Sequence, residues 1–219
     1  MAGSGIRLVA FDMDGVLTAH PSSWEYVHSR MGVDNRKNLD LYRKGAISYI
    51  DFLKSDVQLW IDAHPGIGEK DIRHILGEIP LTEGIGLAVD ELRSSGIATA
   101  IISGGIYWLA ERICTVAQFD RIFANRISTD IYGKIIPDGS VMVEPRHKDK
   151  VLAALQQDTG IGIAETASVG DTLQDSAMFQ RSSISIAFNT RDPKVVRSAT
   201  HHVPSGNLLE AVRIIRQGL

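Results

Sequence analysis

With 219 residues, 44% of them hydrophobic and 22% charged, the chain has the composition of a globular protein with one core domain and a modest insertion. A formal net charge of -3 argues against a nucleic-acid partner, and no apolar run approaches the ~20 residues that span a bilayer. The start Met1-Ala2-Gly3-Ser4-Gly5 has no basic region followed by an apolar core, so a soluble, cytoplasmic protein is expected.

The first element is the apolar run Ile6 to Phe11, which lacks the polar alternation of a half-solvated strand and reads as a central strand of a covered parallel sheet. It ends in Asp12-Met13-Asp14-Gly15. From about Ser22 to Ile79 the pattern turns helical. Ser22-Ser23 caps a helix stopped by Gly32, Arg36 to Lys44 forms a second, and Ser48 opens a third that breaks at His64-Pro65-Gly66. Glu69 to Ile79, closed by Pro80, is a fourth. Strand and helix then alternate: a helix around Ile85 to Leu92, a strand over Ile97 to Ile102 ending in Ser103-Gly104-Gly105, a helix over Tyr107 to Ala117, and a strand over Arg121 to Ala124. Cys114 falls in that apolar-periodic stretch and reads as a small buried hydrophobe. Ile127 to Val143 reads as a projecting β-hairpin, with turns at Tyr132-Gly133-Lys134 and Pro137-Asp138-Gly139. A helix over Lys148 to Gln157, a strand over Thr166 to Val169, a helix over Thr172 to Gln180, a strand over Ile184 to Phe188 and a closing helix over Asn207 to Arg216 complete the series.

The expected fold is therefore α/β, a doubly wound Rossmann-like parallel sheet, with residues 1–18 and 81–219 as the core and residues 19–80 as a helical cap inserted after the first strand. Three buried strands end in polar clusters: Asp12 with Asp14, Ser103-Gly104-Gly105, and Gly170-Asp171 with Asp175 four residues on. Parallel strands put all three on one rim, where open α/β sheets bind ligands. Lys148 precedes Asp171 by one helix and one strand, enough to return it to that rim. Adjacent acids repel unless a cation or a shared proton relieves them, and a hard divalent ion such as Mg²⁺ suits oxygen ligands.

That inventory fits phosphoryl transfer to a carboxylate. Mg²⁺ held by Asp12 and Asp171, together with Lys148, would neutralise the phosphate, while Ser103 and the amides of Gly104 and Gly105, at a helix amino end, would bind its equatorial oxygens. Asp14 would protonate the departing alkoxide and then activate water; Asp175 would orient the loop from behind the metal shell. His20, His147 and the His201-His202 pair have no partners at zinc-like spacing and read as structural or surface residues.

The motifs resemble those of the haloacid dehalogenase superfamily of phosphatases: Asp12 and Asp14, Ser103, Lys148, then Gly170, Asp171 and Asp175 meet its pattern in order. Within it the chain resembles the phosphoserine phosphatases through Ile102-Ser103-Gly104-Gly105, Phe123-Ala124-Asn125-Arg126 and Val169-Gly170-Asp171 continuing to Ser176-Ala177-Met178-Phe179. The resemblance spans nearly the whole chain and implies a Mg²⁺-dependent phosphomonoesterase with an aspartyl-phosphate intermediate, Asp12, Asp14 and Asp171 forming the metal site. Its substrate would be a small phosphorylated metabolite. Two cap positions depart from that family: Pro21 falls where it has a glutamate for the substrate amine, with Glu25 four residues on, and Lys54 falls where it has an arginine for the substrate carboxylate, with Arg43 a looser alternative. Lys54 and Trp24 are the candidate cap contacts. A phosphotransferase or mutase on the same fold, or a non-catalytic Mg²⁺-binding regulatory domain, are the rival readings.

Overall fold

A computed structural model describes residues 5–217. Seven strands form one sheet in the order β4-β3-β2-β1-β5-β6-β7. They are β1 (Leu8–Phe11), β2 (Ala98–Ile106), β3 (Arg121–Thr129), β4 (Ile135–Ser140), β5 (Thr166–Gly170), β6 (Ile184–Phe188) and β7 (His201–Val203). Every pairing is parallel except that of β3 with β4. Among the described residues ten α-helices accompany them: α1 (Ser23–Met31), α2 (Arg36–Arg43), α3 (Tyr49–Ala63), α4 (Glu69–Gly77), α5 (Ile85–Ser94), α6 (Tyr107–Ile113), α7 (Lys148–Thr159), α8 (Ser176–Phe179), α9 (Pro193–Ser198) and α10 (Leu208–Gln217). This is the expected doubly wound α/β fold.

The continuous apolar pattern of β1 follows from its position at the centre of the sheet. Val9 and Phe11 enter the large cluster built with α5, α6 and α10, whereas Leu8 and Ala10 enter the opposite cluster, with Leu152 and Leu155 of α7. Both faces are thus covered, and the strand order reverses at β1, with β2 and β3 to one side and β5 to β7 to the other, the switch point at which open α/β sheets have a crevice beyond the strand ends.

Helices α1 to α4 lie between β1 and α5 in the chain. Where the chain leaves for them and returns, Thr18 and Leu81 form an antiparallel bridge, and Ala19 N–H donates to Pro80 O at 2.9 Å. Local chemistry sets their ends. Ser22 caps α1 by accepting from Glu25 N–H, and Gly32 closes it with φ +65°. Ser48 and Asp51 form a reciprocal capping box on α3.

Five details differ from expectation. Beyond Ala124, β3 runs on to Thr129, so the hairpin is its extension paired with β4; the turn is centred on Gly133, and Pro137-Asp138-Gly139 lie inside β4, an edge strand where proline costs no ladder bond. Strand β2 does not stop at Ile102 but continues to Ile106 through a register shift, so Ser103-Gly104-Gly105 sit in its extended end, not at a helix amino terminus. The helix expected from Thr172 opens as a 3-10 turn, Leu173–Asp175, before the single-turn α8. Strand β7 and α9, three and six residues long, carry too little periodicity to be read from sequence. Cys114 is only partly buried, packed against the main cluster.

Candidate active site

The ends of β1, β2 and β5 and the start of α7 converge on one cleft of about 710 Å³, roofed by α1 to α3. Asp12, Asp14, Ser103, Gly104, Gly105 and Lys148 all line it. Lys148, the first residue of α7, is 2% exposed, and its Nζ lies 2.8 Å from Asp12 Oδ1 and 2.6 Å from Asp175 Oδ1. Lys150 is exposed. The buried ammonium is held charged: burial works against it, but the carboxylates of Asp12 and Asp175 overcome this and raise its pKa.

Asp12 Oδ1 also accepts from Met13 N–H at 2.7 Å, so its bonds fall on one oxygen and leave Oδ2 without a donor among the described residues. Asp12, Asp171 and Asp175 each bring a carboxylate oxygen within 4.8 Å of the others. Crowding and burial have the expected consequence. Burial pushes Asp12 up to about 7 against the pull of Lys148, and burial with the Asp12 charge pushes Asp171 up to about 9.

Asp175, fully buried, is committed: Oδ1 to Lys148, and Oδ2 to the N–H groups of Asp171 and Thr172 and the Thr172 hydroxyl. Asp171 Oδ1 is buried with no donor. The carboxylates with capacity for a cation are therefore Asp12 and Asp171, while Asp175 positions both Lys148 and the Asp171 loop. Two glycines make room: a Cβ on Gly15, where φ is +78°, would lie 2.1 Å from Asp171 Oδ2, and one on Gly170 would lie 2.3 Å from the Asp175 Cβ.

The side chain of Asp14, expected among the metal ligands, stands apart from that acidic group. Its Oδ2 is held by the N–H and hydroxyl of Ser23, at 2.9 and 2.8 Å, at the head of α1; the Ser23 Oγ in turn accepts from Ile106 N–H. Burial raises the Asp14 pKa despite those two donors. A Cβ on Gly105 would fall 2.6 Å from Asp14 Oδ2 and 2.8 Å from Ser23 Oγ, so a side chain there would have to displace that pair.

The carbonyl of Gly104 is pinned three ways, by Asn125 Nδ2 at 2.9 Å, Trp24 Nε1 at 3.0 Å and the Tyr49 hydroxyl at 3.3 Å. Asn125, 0% exposed, also binds the backbone of Met142 and Val143. In the sequence its signal is a polar residue closing the apolar stretch Ile122-Phe123-Ala124, within the motif Phe123-Ala124-Asn125-Arg126. Trp24 lines the cleft and stacks on Trp60. Lys54 does not line it: its Nζ lies 3.0 Å from Asp138 Oδ1 of β4. The cleft-facing residues of α3 are Tyr49, Phe52, Leu53 and Asp56, one helical stripe, and Pro21, Glu25 and Arg43 also line the cleft. Of the histidines outside it, His64, His74, His147, His201 and His202 are exposed, and His20 is half-buried.

A family model for haloacid dehalogenase-like hydrolases matches residues 6–182. The chain belongs to this family. The phosphoserine phosphatase of Idiomarina loihiensis is 29% identical over 96% of this chain and 94% of its own length, and that of Methanocaldococcus jannaschii is 28% identical over 96% and 98%. A substrate-bound phosphoserine phosphatase complex, 23% identical, superposes with a TM-score of 0.77 over 95% of this chain and 98% of its own, which shows a shared fold. The expectation of an enzyme, a haloacid dehalogenase phosphatase of the phosphoserine phosphatase-like kind, is met at the level of family and fold. No helix among the described residues is long and apolar enough to cross a membrane.

Proposed function

We propose that the chain is a Mg²⁺-dependent phosphomonoesterase acting on a small phosphorylated metabolite through an aspartyl-phosphate on Asp12, with residues 19–80 as the cap over its cleft. The observation that carries this reading is the convergence of Asp12, Ser103 and Lys148, from three separate elements, on one cleft. Asp12 Oδ2, the oxygen without a donor, attacks phosphorus, while Lys148 and Met13 N–H hold Oδ1 and fix the carboxylate plane. The Ser103 hydroxyl, near the Gly104 and Gly105 amides, hydrogen-bonds the transferring group. Asp14, raised by burial, gives its proton to the departing alkoxide and then takes one from the water that opens the acyl phosphate.

A divalent cation fits the acids present, because Asp171 Oδ1 is a buried orphan and the Asp12 and Asp171 carboxylates are costly to ionise together without a counter-charge. Asp12 and Asp171 would hold Mg²⁺, which would supply positive charge to the phosphoryl oxygens. A carboxylate placed in Asp14 to activate water favours turnover over the regulatory reading, and the phosphotransferase reading is separated by whether phosphate is released to water or passes to an added sugar acceptor. The enzyme would work in the cytoplasm, among the anionic metabolites it would use.

The test is phosphate release from an aryl phosphate and a panel of phosphorylated metabolites, with Mg²⁺ and with EDTA. Asp12→Asn abolishes release while the far-ultraviolet circular dichroism stays that of the parent. Turnover retained in this variant would reject the proposal.

A further inference from the structure

The cap side of the same cleft holds a second buried carboxylate. Asp56 of α3 is 2% exposed and shares the cleft lining with His28 of α1 and with Asn35, just ahead of α2. Its Oδ2 receives two donors, His28 Nε2 and Asn35 Nδ2, each at 3.2 Å. The other ring nitrogen of His28, Nδ1, lies 2.8 Å from Trp60 Nε1. An indole N–H only donates, so Nδ1 must accept, and the imidazole proton sits on Nε2. His28 therefore offers Asp56 a neutral donor and not a cation.

The remaining oxygen, Asp56 Oδ1, is buried without any partner, and no lysine or arginine among the described residues pairs with this carboxylate. Arg36, which also lines the cleft, is engaged by Asp34. A buried anion with an unmatched oxygen is destabilising, and its strongest partner is a charged donor. The position is not a packing accident of a surface acid, since Trp60, His28 and Asn35 form a chain of hydrogen bonds that fixes the carboxylate with that oxygen left over.

Resting on the phosphomonoesterase reading, we infer that Asp56 Oδ1 accepts a hydrogen bond from a primary ammonium of the substrate, which makes Asp56 a specificity-determining residue for amino-bearing phosphomonoesters. His28 and Asn35 are positioning residues for it. The cleft is then polarised along its length: Lys148 faces the phosphate end, and an anion faces the end that takes the amine. Lys54, directed at Asp138, has no part in this contact.

The experiment compares phosphoethanolamine with two matched esters, ethylene glycol monophosphate and ethyl phosphate, on the parent and on Asp56→Asn, each with Mg²⁺. A charge-assisted hydrogen bond of this kind corresponds to a preference of about tenfold or more in kcat/KM for the amine over either analogue. Asp56→Asn, which keeps the shape and turns an N–H₂ toward the ammonium, should collapse that ratio to about unity. An unchanged ratio in Asp56→Asn, or equal kcat/KM for all three esters in the parent, overturns the inference; the second outcome is what a carboxylate satisfied only by a buried water would give. The parent comparison needs no variant and stands whether or not Asp56→Asn folds.

Isothermal titration of the same three esters into Asp12→Asn, with and without Asp56→Asn, separates this inference from the activity it rests on. If the parent hydrolyses none of the esters, the phosphatase reading fails. The amine subsite is still upheld by tighter binding of phosphoethanolamine that Asp56→Asn removes, and overturned by equal or undetectable binding of the three.

Discussion

Replacing Lys148 with methionine removes one charge from the centre of the acidic cluster while keeping an unbranched chain of similar length. The apolar swap itself costs less than about 1.5 kcal/mol, as volume-conserving core changes do. The charge is the larger matter: Lys148 Nζ is shared by Asp12 and Asp175 at 2.8 and 2.6 Å, all three side chains being at most 7% exposed. Removing one partner from a buried ion pair costs about 3–5 kcal/mol. At about 2–4 °C per kcal/mol for a chain of this size, the melting temperature should fall by about 6–20 °C at pH 8 in EDTA. The deficit should shrink toward pH 5.5. Lys148 exerts the strongest downward pull on Asp12, so without it the Asp12 carboxyl rises further above about 7 and keeps its proton at the lower pH, where one of the two carboxylates that lost the ammonium no longer carries a charge. Differential scanning calorimetry at both pH values, with phosphate release measured in parallel, reads both effects. A melting temperature within about 2 °C of the parent at pH 8, or a deficit equal at both pH values, would refute this account of the cluster.

Cation binding should stabilise the folded chain more at high pH than at low. Asp12 and Asp171 are raised on folding, to about 7 and about 9, so the folded chain keeps protons that the unfolded chain has lost. Stability without a cation therefore falls as pH rises from the ordinary carboxylate range, near 4, through those values, by up to about 1.4 kcal/mol per pH unit for each titrating group. The gain in melting temperature on adding Mg²⁺ should be small at pH 5.5 and larger at pH 8.5; an equal gain at both would contradict the assignment. Gly105→Ala places a methyl 2.5 Å from the Met13 Cε and 2.6 Å from Asp14 Oδ2, so the Ser23 clamp on Asp14 must open. Its kcat should drop by about 10²-fold or more, in the range general acid–base catalysis supplies, with KM changed far less; kinetics within threefold of the parent would show that Asp14 does not depend on the clamp.

The strand ends were legible because each couples an unbroken apolar run to an abrupt polar change, and a parallel sheet leaves those changes no choice of rim. Lys148 was legible through chain length, since one helix and one strand separate it from Asp171. The caps of α1 and α3 follow from single serines acting over one turn. What distance in sequence conceals is the side-chain network behind the site. Ser23 reaches Asp14 and β2, and Asn125 reaches Gly104 across neighbouring strands. No local pattern announces either bond. Lys54 shows how sharply a helix punishes a small displacement in register: two residues turn the side chain by about 200°, so Lys54 meets β4 while Asp56 meets the cleft. Similarly, Ser103-Gly104-Gly105 remain in the strand because β2 continues its pairing with β3 at Ile106 and Asn125, which a glycine pair by itself does not reveal.

The most direct test of the central claim is borohydride reduction of the enzyme quenched during turnover of an aryl phosphate with Mg²⁺, followed by peptide mass spectrometry. A phosphoaspartyl intermediate predicts homoserine at position 12, absent when the phosphate ester is left out. Sustained turnover with residue 12 unmodified, or with homoserine at residue 14 or 171 in its place, would contradict it.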